Sequence, residues 1–216
     1  TRMLVAVGIL EYSGHLSARL PEGDTFLIQP GNDARATVAP DRLLTVDLDG
    51  RVVEGEAKAP SEVAIHAEIY RQRPDAGAVA HFHHDPTTMF SMVGERPLVP
   101  VKNHAARWAA GVPVYPHPWH VDTQEKGKAL AHQLGAGHAI LLRAHGQVVV
   151  AEDVKTLFAD VVHFVENADA LARAHALGPV VPLTDEECGQ FLETFNRASH
   201  ARKLWRYYTT VHGREA

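Results

Sequence analysis

Ala78-Val-Ala-His81-Phe82-His83, running on into His84-Asp85-Pro86, is the stretch on which the reading of this chain turns. Its small and apolar residues between turn signals predict a strand, and side chains two apart on a strand point to the same face. His81 and His83 therefore project together, just ahead of a proline-containing turn. Two neutral imidazoles so placed suit a divalent metal. His84 points to the opposite face if the strand continues, which marks it as a supporting residue rather than a ligand. A His-x-His pair is weak evidence by itself, since fifteen histidines in 216 residues produce such pairs by chance. His132, His138, His163, His175, His200 and His212 are read as surface or helix-face histidines. A third ligand is available at His145 in Leu142-Arg-Ala-His145-Gly146, where the glycine would permit a sharp bend carrying the imidazole inward. Glu62, nineteen residues before His81 with one helix between them, would complete the set.

Outward from this stretch the chain divides into short strands and longer helices. Leu4 to Leu10 reads as the end of a helix. His15 to Arg19 and Thr25 to Ile28 read as strands about a Pro-Glu-Gly-Asp turn. Leu43 to Leu48 is a third strand, closed by Asp49-Gly50, a strong hairpin signal, with Arg51 to Glu54 its partner. Ser61 is a candidate N-cap for an amphipathic helix carrying Val63, Ile65, Ile69 and Tyr70 and ending at Pro74-Asp75. Asp85-Pro-Thr-Thr88 opens another helix. β segments follow at Leu98 to Val101 and Val112 to Tyr115, then a helix from Glu125 to Leu134. Ala139 to Arg143 and Gln147 to Val150 form a strand pair about Ala144-His145-Gly146. Asp153 caps a long helix to Ala176, and one last helix runs from about Asp185 to Tyr207. Strands in adjacent pairs between helices predict a mixed or antiparallel sheet flanked by helices, an α/β fold. No repeat or linker interrupts it, so residues 1–216 are read as a single domain. The first residue is threonine, from which we expect a trimmed N-terminus.

Composition narrows the functional classes. Apolar residues make up 45% of the chain, enough for one full core, and the 22% that are charged are of mixed sign. The net charge is -5 with no basic run, which removes electrostatic support for a nucleic-acid partner. No apolar run approaches a membrane span, so no membrane partner is expected. The single cysteine, Cys188, excludes an internal disulfide, fits a cytoplasmic location, and lies in a polar helix start where no reactive role is expected.

Four separated segments, taken together, resemble the class II aldolase/adducin family. They are Ser13-Gly-His15-Leu-Ser-Ala-Arg19, Pro60-Ser61-Glu62 with His66 and Ile69-Tyr70, Arg73-Pro74-Asp75 through His81-Phe-His83, and Leu141-Leu-Arg-Ala-His145-Gly146. Order and spacing agree from about Gly8 to Gly178. The resemblance implies a three-layer α/β/α fold with a central, largely antiparallel sheet, and homotetramers with active sites at subunit interfaces. It implies a metal held by His81, His83 and His145, with Glu62 as fourth ligand or catalytic acid/base. Zinc is the first expectation for such a set, and manganese, cobalt or iron(II) would also fit.

Departures from the family pattern bear on the reaction. Family members acting on phosphosugars carry Gly-Asn where this chain has Gly14-His15, and a hydroxyl-bearing phosphate loop where it has Ile28-Gln-Pro-Gly-Asn-Asp33. Two serines precede their glutamate; here Ser61 follows Pro60. Missing donors and an added acid make a poor dianion site. Asn103 or His104 stands where those enzymes place a tyrosine proton donor, so His104 joins Glu62 as a candidate catalytic residue. The substrate contacts expected are His15, Ser61, Lys102, Asn103, Arg107 and Tyr207, with Lys102 and Arg107 gripping a carboxylate. The chain looks closest to the branch that decarboxylates hydroxylated aromatic acids of the dihydroxyphthalate type, enzymes of aromatic compound catabolism. A three-histidine metal with an open position acts as a Lewis acid. The expectation is thus a metal-dependent carbon–carbon lyase, decarboxylating a small hydroxy acid through a metal-chelated enolate or phenolate. The alternatives are an aldolase for a hydroxy-ketone or hydroxy-keto acid, an iron-dependent oxygenase and a metal-free adducin-like binding module.

Overall fold

Strand β5 (Ala78–Phe82) is buried along its whole length in the computed structural model, which describes residues 1–21, 23–94 and 96–212. Its two neighbours explain the burial. β1 (His15–Arg19) pairs with it antiparallel on one side, setting His15 opposite His81. β8 (Gly146–Ala151) pairs antiparallel on the other, setting Val148 opposite His81. Beyond β1 lie β2 (Thr25–Ile28), β3 (Leu44–Asp47) and β4 (Val52–Glu54); beyond β8 lie β7 (Ala139–Leu142) and β6 (Val114–Tyr115). The order is β4-β3-β2-β1-β5-β8-β7-β6, antiparallel throughout except where β6 meets β7.

The twofold period of β5 divides the molecule into layers. Ala78, Ala80 and Phe82 join a core with Leu157, Phe158 and Phe164 of α5 (Val154–Leu177), against which Leu204, Trp205 and Tyr208 of α7 (Arg197–His212) pack. Val79 joins the other core, with Ile65 and Ile69 of α2 (Val63–Gln72) and Leu130 of α4 (Gln124–Leu134). Burying side chains such as Phe82 or Val79 contributes roughly 1.5–3 kcal/mol each, so packing on both faces fixes the strand's register. His81 shares the face of Val79, and α2 begins over that face. No described helix is long and apolar enough to cross a membrane.

Most elements lie within a residue or two of their expected bounds, and the differences have local causes. The first helix is α1 (Arg2–Ala6) and stops at Val7. The expected hairpins, the short helix α3 (Asp85–Thr88) and the Asp153 cap are present; the Asp153 carboxylate accepts from Lys155 N at 2.8 Å and Thr156 N at 2.9 Å. Leu98 to Val101 is not a strand. Its backbone is satisfied instead by Asn167 of α5, whose Oδ1 accepts from Val101 N and Lys102 N at 2.9 and 3.1 Å and whose Nδ2 donates to Val99 O at 2.9 Å. The single helix expected after Asp185 is two, α6 (Asp185–Thr194) and α7. Phe195 is extended between them, and the Asn196 side chain accepts from Ser199 N at 2.9 Å, starting the second helix.

Candidate metal centre

Glu62 occupies the N-cap position of α2, where Ser61 was expected, and its carboxylate does not cap the helix. One oxygen, Oε1, accepts from Val121 N at 2.8 Å, which turns the other toward the sheet. There Oε2 lies 3.3 Å from His81 Nε2 and 3.6 Å from His145 Nε2, and His81 Nε2 lies 3.1 Å from His83 Nε2. Four ligand atoms of Glu62, His81, His83 and His145 fall within 4.8 Å of one another. Donors bound at 2.0–2.1 Å on a tetrahedron stand about 3.3–3.4 Å apart, close to the separations found.

Each imidazole is aimed by its surroundings. His81 Nδ1 is 3.1 Å from Gln147 O and His83 Nδ1 is 2.8 Å from Ser13 Oγ, so Nε2 is the nitrogen each presents to the centre. Such partners fix the tautomer of metal-binding histidines. His145 differs: both of its ring nitrogens are buried without a hydrogen-bond partner among the described residues. A buried polar atom left unpaired costs about 1–3 kcal/mol, and a cation at Nε2 removes half of that deficit. The donor set therefore fits a divalent metal.

The turn that delivers His145 is built differently from the expected bend. The residue with positive φ is Ala144, at 52°, and not Gly146. Gly146 is needed for room: a Cβ there would come within 2.6 Å of both His83 Cδ2 and Phe82 O. At Gly14 both demands meet, with φ at 91° and a Cβ that would approach His81 O to 2.9 Å.

The electrostatics favour the ligand forms. Burial drives the Glu62 carboxyl upward, but the His145 and His81 imidazoles and Val121 N–H more than reverse this, holding it well below the usual carboxylate range. Burial, followed by the charges of His81 and His145, lowers His83 to about 3. At neutral pH the centre presents a carboxylate and an uncharged His83.

His15 stands beside the ligands, its ring 5.1 Å from that of His81, and begins a buried polar chain. His15 Nδ1 meets His66 Nε2 at 2.6 Å, His66 Nδ1 meets Ser17 Oγ at 2.6 Å, and Ser17 Oγ meets Tyr70 OH at 2.7 Å. Burial pushes the Tyr70 phenol well above its usual range, so it keeps its proton. Satisfying that proton fixes the direction: Tyr70 donates to Ser17, Ser17 to His66, and His66 to His15 Nδ1. His15 is left with its proton on Nε2. The chain follows from two periods, His15 and Ser17 being two apart on β1 and His66 and Tyr70 four apart on α2.

A cleft of about 690 Å³ opens on the centre, lined by His15, Ser61, Glu62 and His83 together with Tyr12, Ser13, Asn32, Arg35, Lys58 and His120. Composition and motif spacing gave no signal for Arg35, Lys58 or His120. Arg35 spends its donors on the backbone oxygens of Gly14, Pro30, Gly31 and Asp33, clamping the Pro30-Gly-Asn-Asp33 loop. Lys58 is exposed at the cleft wall. The His120 ring stacks over His145 at 5.6 Å.

The chain does not bring the other expected contacts to this cleft. Lys102 pairs with Glu166 of α5 at 2.7 Å, and Arg107 with Asp160 at 3.2 Å. Asn103 and His104 lie on a 3-10 turn, Asn103–Trp108, on the α5 side of the sheet. His104 stacks on His163 and His200, which lie on helices as expected, on α5 and α7, and which converge with it. Burial and then those two imidazoles lower His104 to about 4. Tyr207 is 60% exposed on α7. Within one chain these residues and the metal centre belong to different regions.

Known proteins show the same outline. A family model described as "Class II Aldolase and Adducin N-terminal domain" matches residues 3–172. The chain is 36% identical over 163 residues to a 3,4-dihydroxyphthalate decarboxylase of Arthrobacter keyseri, a match spanning 70% of this chain and 64% of that protein. It is 31% identical over 195 residues to a 4-hydroxy-3-prenylphenylpyruvate oxygenase/4-hydroxy-3-prenylbenzoate synthase of Streptomyces roseochromogenus subsp. oscitans, covering 85% and 70% of the two. Among solved structures, an L-fuculose 1-phosphate aldolase superposes with a TM-score of 0.76 at 26% identity, over 89% of this chain and 90% of the other.

Proposed function

The chain belongs to the class II aldolase and adducin family, and from that premise we propose that it is a divalent-metal-dependent carbon–carbon lyase that decarboxylates a hydroxylated aromatic carboxylic acid. The observation that carries the metal dependence is the meeting of three imidazole nitrogens and one carboxylate oxygen, with His145 otherwise unpaired. His81, His83, His145 and Glu62 would hold the cation, with zinc the first candidate, and bound there it would supply Lewis acidity to a substrate oxygen.

The choice of reaction rests on the cleft and on the relatives. The Pro30-Gly-Asn-Asp33 loop offers no hydroxyl, and the Arg35 guanidinium beneath it is already engaged by backbone oxygens. A phosphate dianion would find few donors there. A carboxylate would meet Lys58, a hydroxyl would meet His15 Nε2–H, and Ser61 borders the same wall. Glu62 Oε2, between His81 and His145, would leave the cation as substrate binds, and we assign the freed carboxylate to relaying a proton from water to the reacting carbon. One relative is a decarboxylase of a dihydroxy aromatic acid, which supports the same substrate class here. The similarity to an oxygenase keeps a dioxygen-consuming reaction as the second reading, and aldol cleavage as the third.

We further take the protein to act in the cytoplasm as a homotetramer. Tyr207, His104, Lys102, Asn103 and Arg107 could reach a metal centre only across a subunit boundary, and light scattering of the purified protein tests this.

The function is tested by loading purified protein with zinc, manganese or iron(II) and supplying a panel of ortho-hydroxy aromatic acids. The expected result is carbon dioxide in the headspace, independent of phosphate and of oxygen. Oxygen consumption would favour the second reading, and an aldehyde product the third. His81→Ala should lose turnover together with the metal of this centre; full activity in that variant would refute the assignment.

A further inference from the structure

A second set of convergent histidines lies on the opposite side of the sheet from the centre just described. His104 comes from the 3-10 turn, His163 from α5 and His200 from α7, and one ligand atom from each falls within 4.8 Å of the others. His163 Nε2 and His200 Nε2 are 3.1 Å apart, the same separation as His81 Nε2 and His83 Nε2. Ring centroids stand 4.4, 4.6 and 5.1 Å apart, against 4.9, 5.0 and 5.1 Å at the first centre. We propose that His104, His163 and His200 form a second divalent-cation site, joining α7 to α5 and to the 3-10 turn.

Three features of the surroundings support this. If Nε2 binds the cation, the other nitrogen of His163 needs an orienting partner. Glu166 is the candidate, its Oε2 lying 3.8 Å from the buried His163 Nδ1, short of a hydrogen bond as the side chains stand and within reach of a small shift. Most of the nearby charges are paired, Lys102 with Glu166, and Arg107 and Arg197 with Asp160 and Glu152, which leaves Lys203 beside His200 as the cation that opposes binding. Phe191 and Phe195 set their ring planes near a right angle to His104, 5.6 and 5.2 Å away. Phe195 lines a pocket with the three histidines, whose imidazoles are its only uncharged side-chain nitrogen donors among the described lining residues. Three imidazoles without a thiolate favour zinc, nickel, cobalt or copper(II) over magnesium or calcium.

The proposal stands apart from the catalytic reading and is tested without turnover. His81→Ala, which removes a ligand of the first centre, is titrated with zinc by calorimetry and assayed for metal after gel filtration. One equivalent per chain should remain, and adding His163→Ala or, separately, His200→Ala should weaken it by at least about tenfold. Zinc should also raise the thermal midpoint of His81→Ala and not that of the double variants. Circular dichroism of each variant checks the fold, and His200 on α7 gives a second route should His163→Ala misfold. If His81→Ala binds no zinc, or both double variants retain it unchanged, the three rings are an aromatic stack and the proposal is overturned.

Discussion

Ser17 has one proton to give, and it stands between a phenol that must donate and an imidazole that must receive. Replacing it with alanine leaves Tyr70 OH and His66 Nδ1 unpaired in the interior, which should cost about 1–3 kcal/mol. A lower urea midpoint with unchanged slope would show it, and an unchanged midpoint would mean that the buried chain does not run as described. Lys58 carries the second residue-scale prediction. As the exposed cation of the cleft wall it should act in binding and not in bond breaking, so Lys58→Ala should raise KM roughly tenfold and leave kcat nearly constant. The convergence of His81 and His83 was legible because strand periodicity sets side chains two apart on one face. Lys58 was not, since nothing beside it in the chain marks it out. The carboxylate grip expected of Lys102 and Arg107 depended on knowing which face of the sheet they occupy, and both are paired with acids of α5.

The turn between β7 and β8 divides its labour between two residues, Ala144 accepting the left-handed backbone and Gly146 making room. Gly146→Ala would press a methyl group against the His83 ring and the Phe82 carbonyl. Overpacking of this kind costs typically 1–3 kcal/mol, and here it falls on a ligand. The expected outcome is a metal affinity at least about tenfold weaker with an intact circular dichroism spectrum, read by zinc calorimetry. Ala144→Gly is the matching control, since it relieves backbone strain without touching an imidazole and should keep the metal. Hairpins and capped helices were readable in sequence because their signals are local, as at Asp49-Gly50 and Asp153. Leu98 to Val101 was not, because the group that satisfies its backbone, Asn167, comes from α5, more than sixty residues away. The end of α6 at Phe195 had no glycine or proline to announce it.

For the molecule as a whole, one buried and one half-buried imidazole bear on the response to acid. Burial, then the charge of His81, lowers His66 to about 3, and burial, then Arg107 and Arg73, lowers His138 to about 4. The unfolded chain protonates both near 6.5. Between pH 6.5 and about 4 it therefore binds more protons than the folded one, and stability falls as pH falls through that window. Thermal midpoints of metal-free protein should drop steadily from pH 7 to 4.5, with roughly two protons taken up by these groups on unfolding near pH 5. A flat profile would contradict their staying neutral in the folded chain. The sheet order was beyond the sequence, which announces strands and their hairpins but not that β1 and β8 close on β5 from either side. That order has a dynamic consequence. Sheets fray from their rims, and three strands shelter β5 on one side and four on the other. The amides of β5 should be among the last to exchange with heavy water, so the rims can breathe while the two ligands at its end hold their spacing.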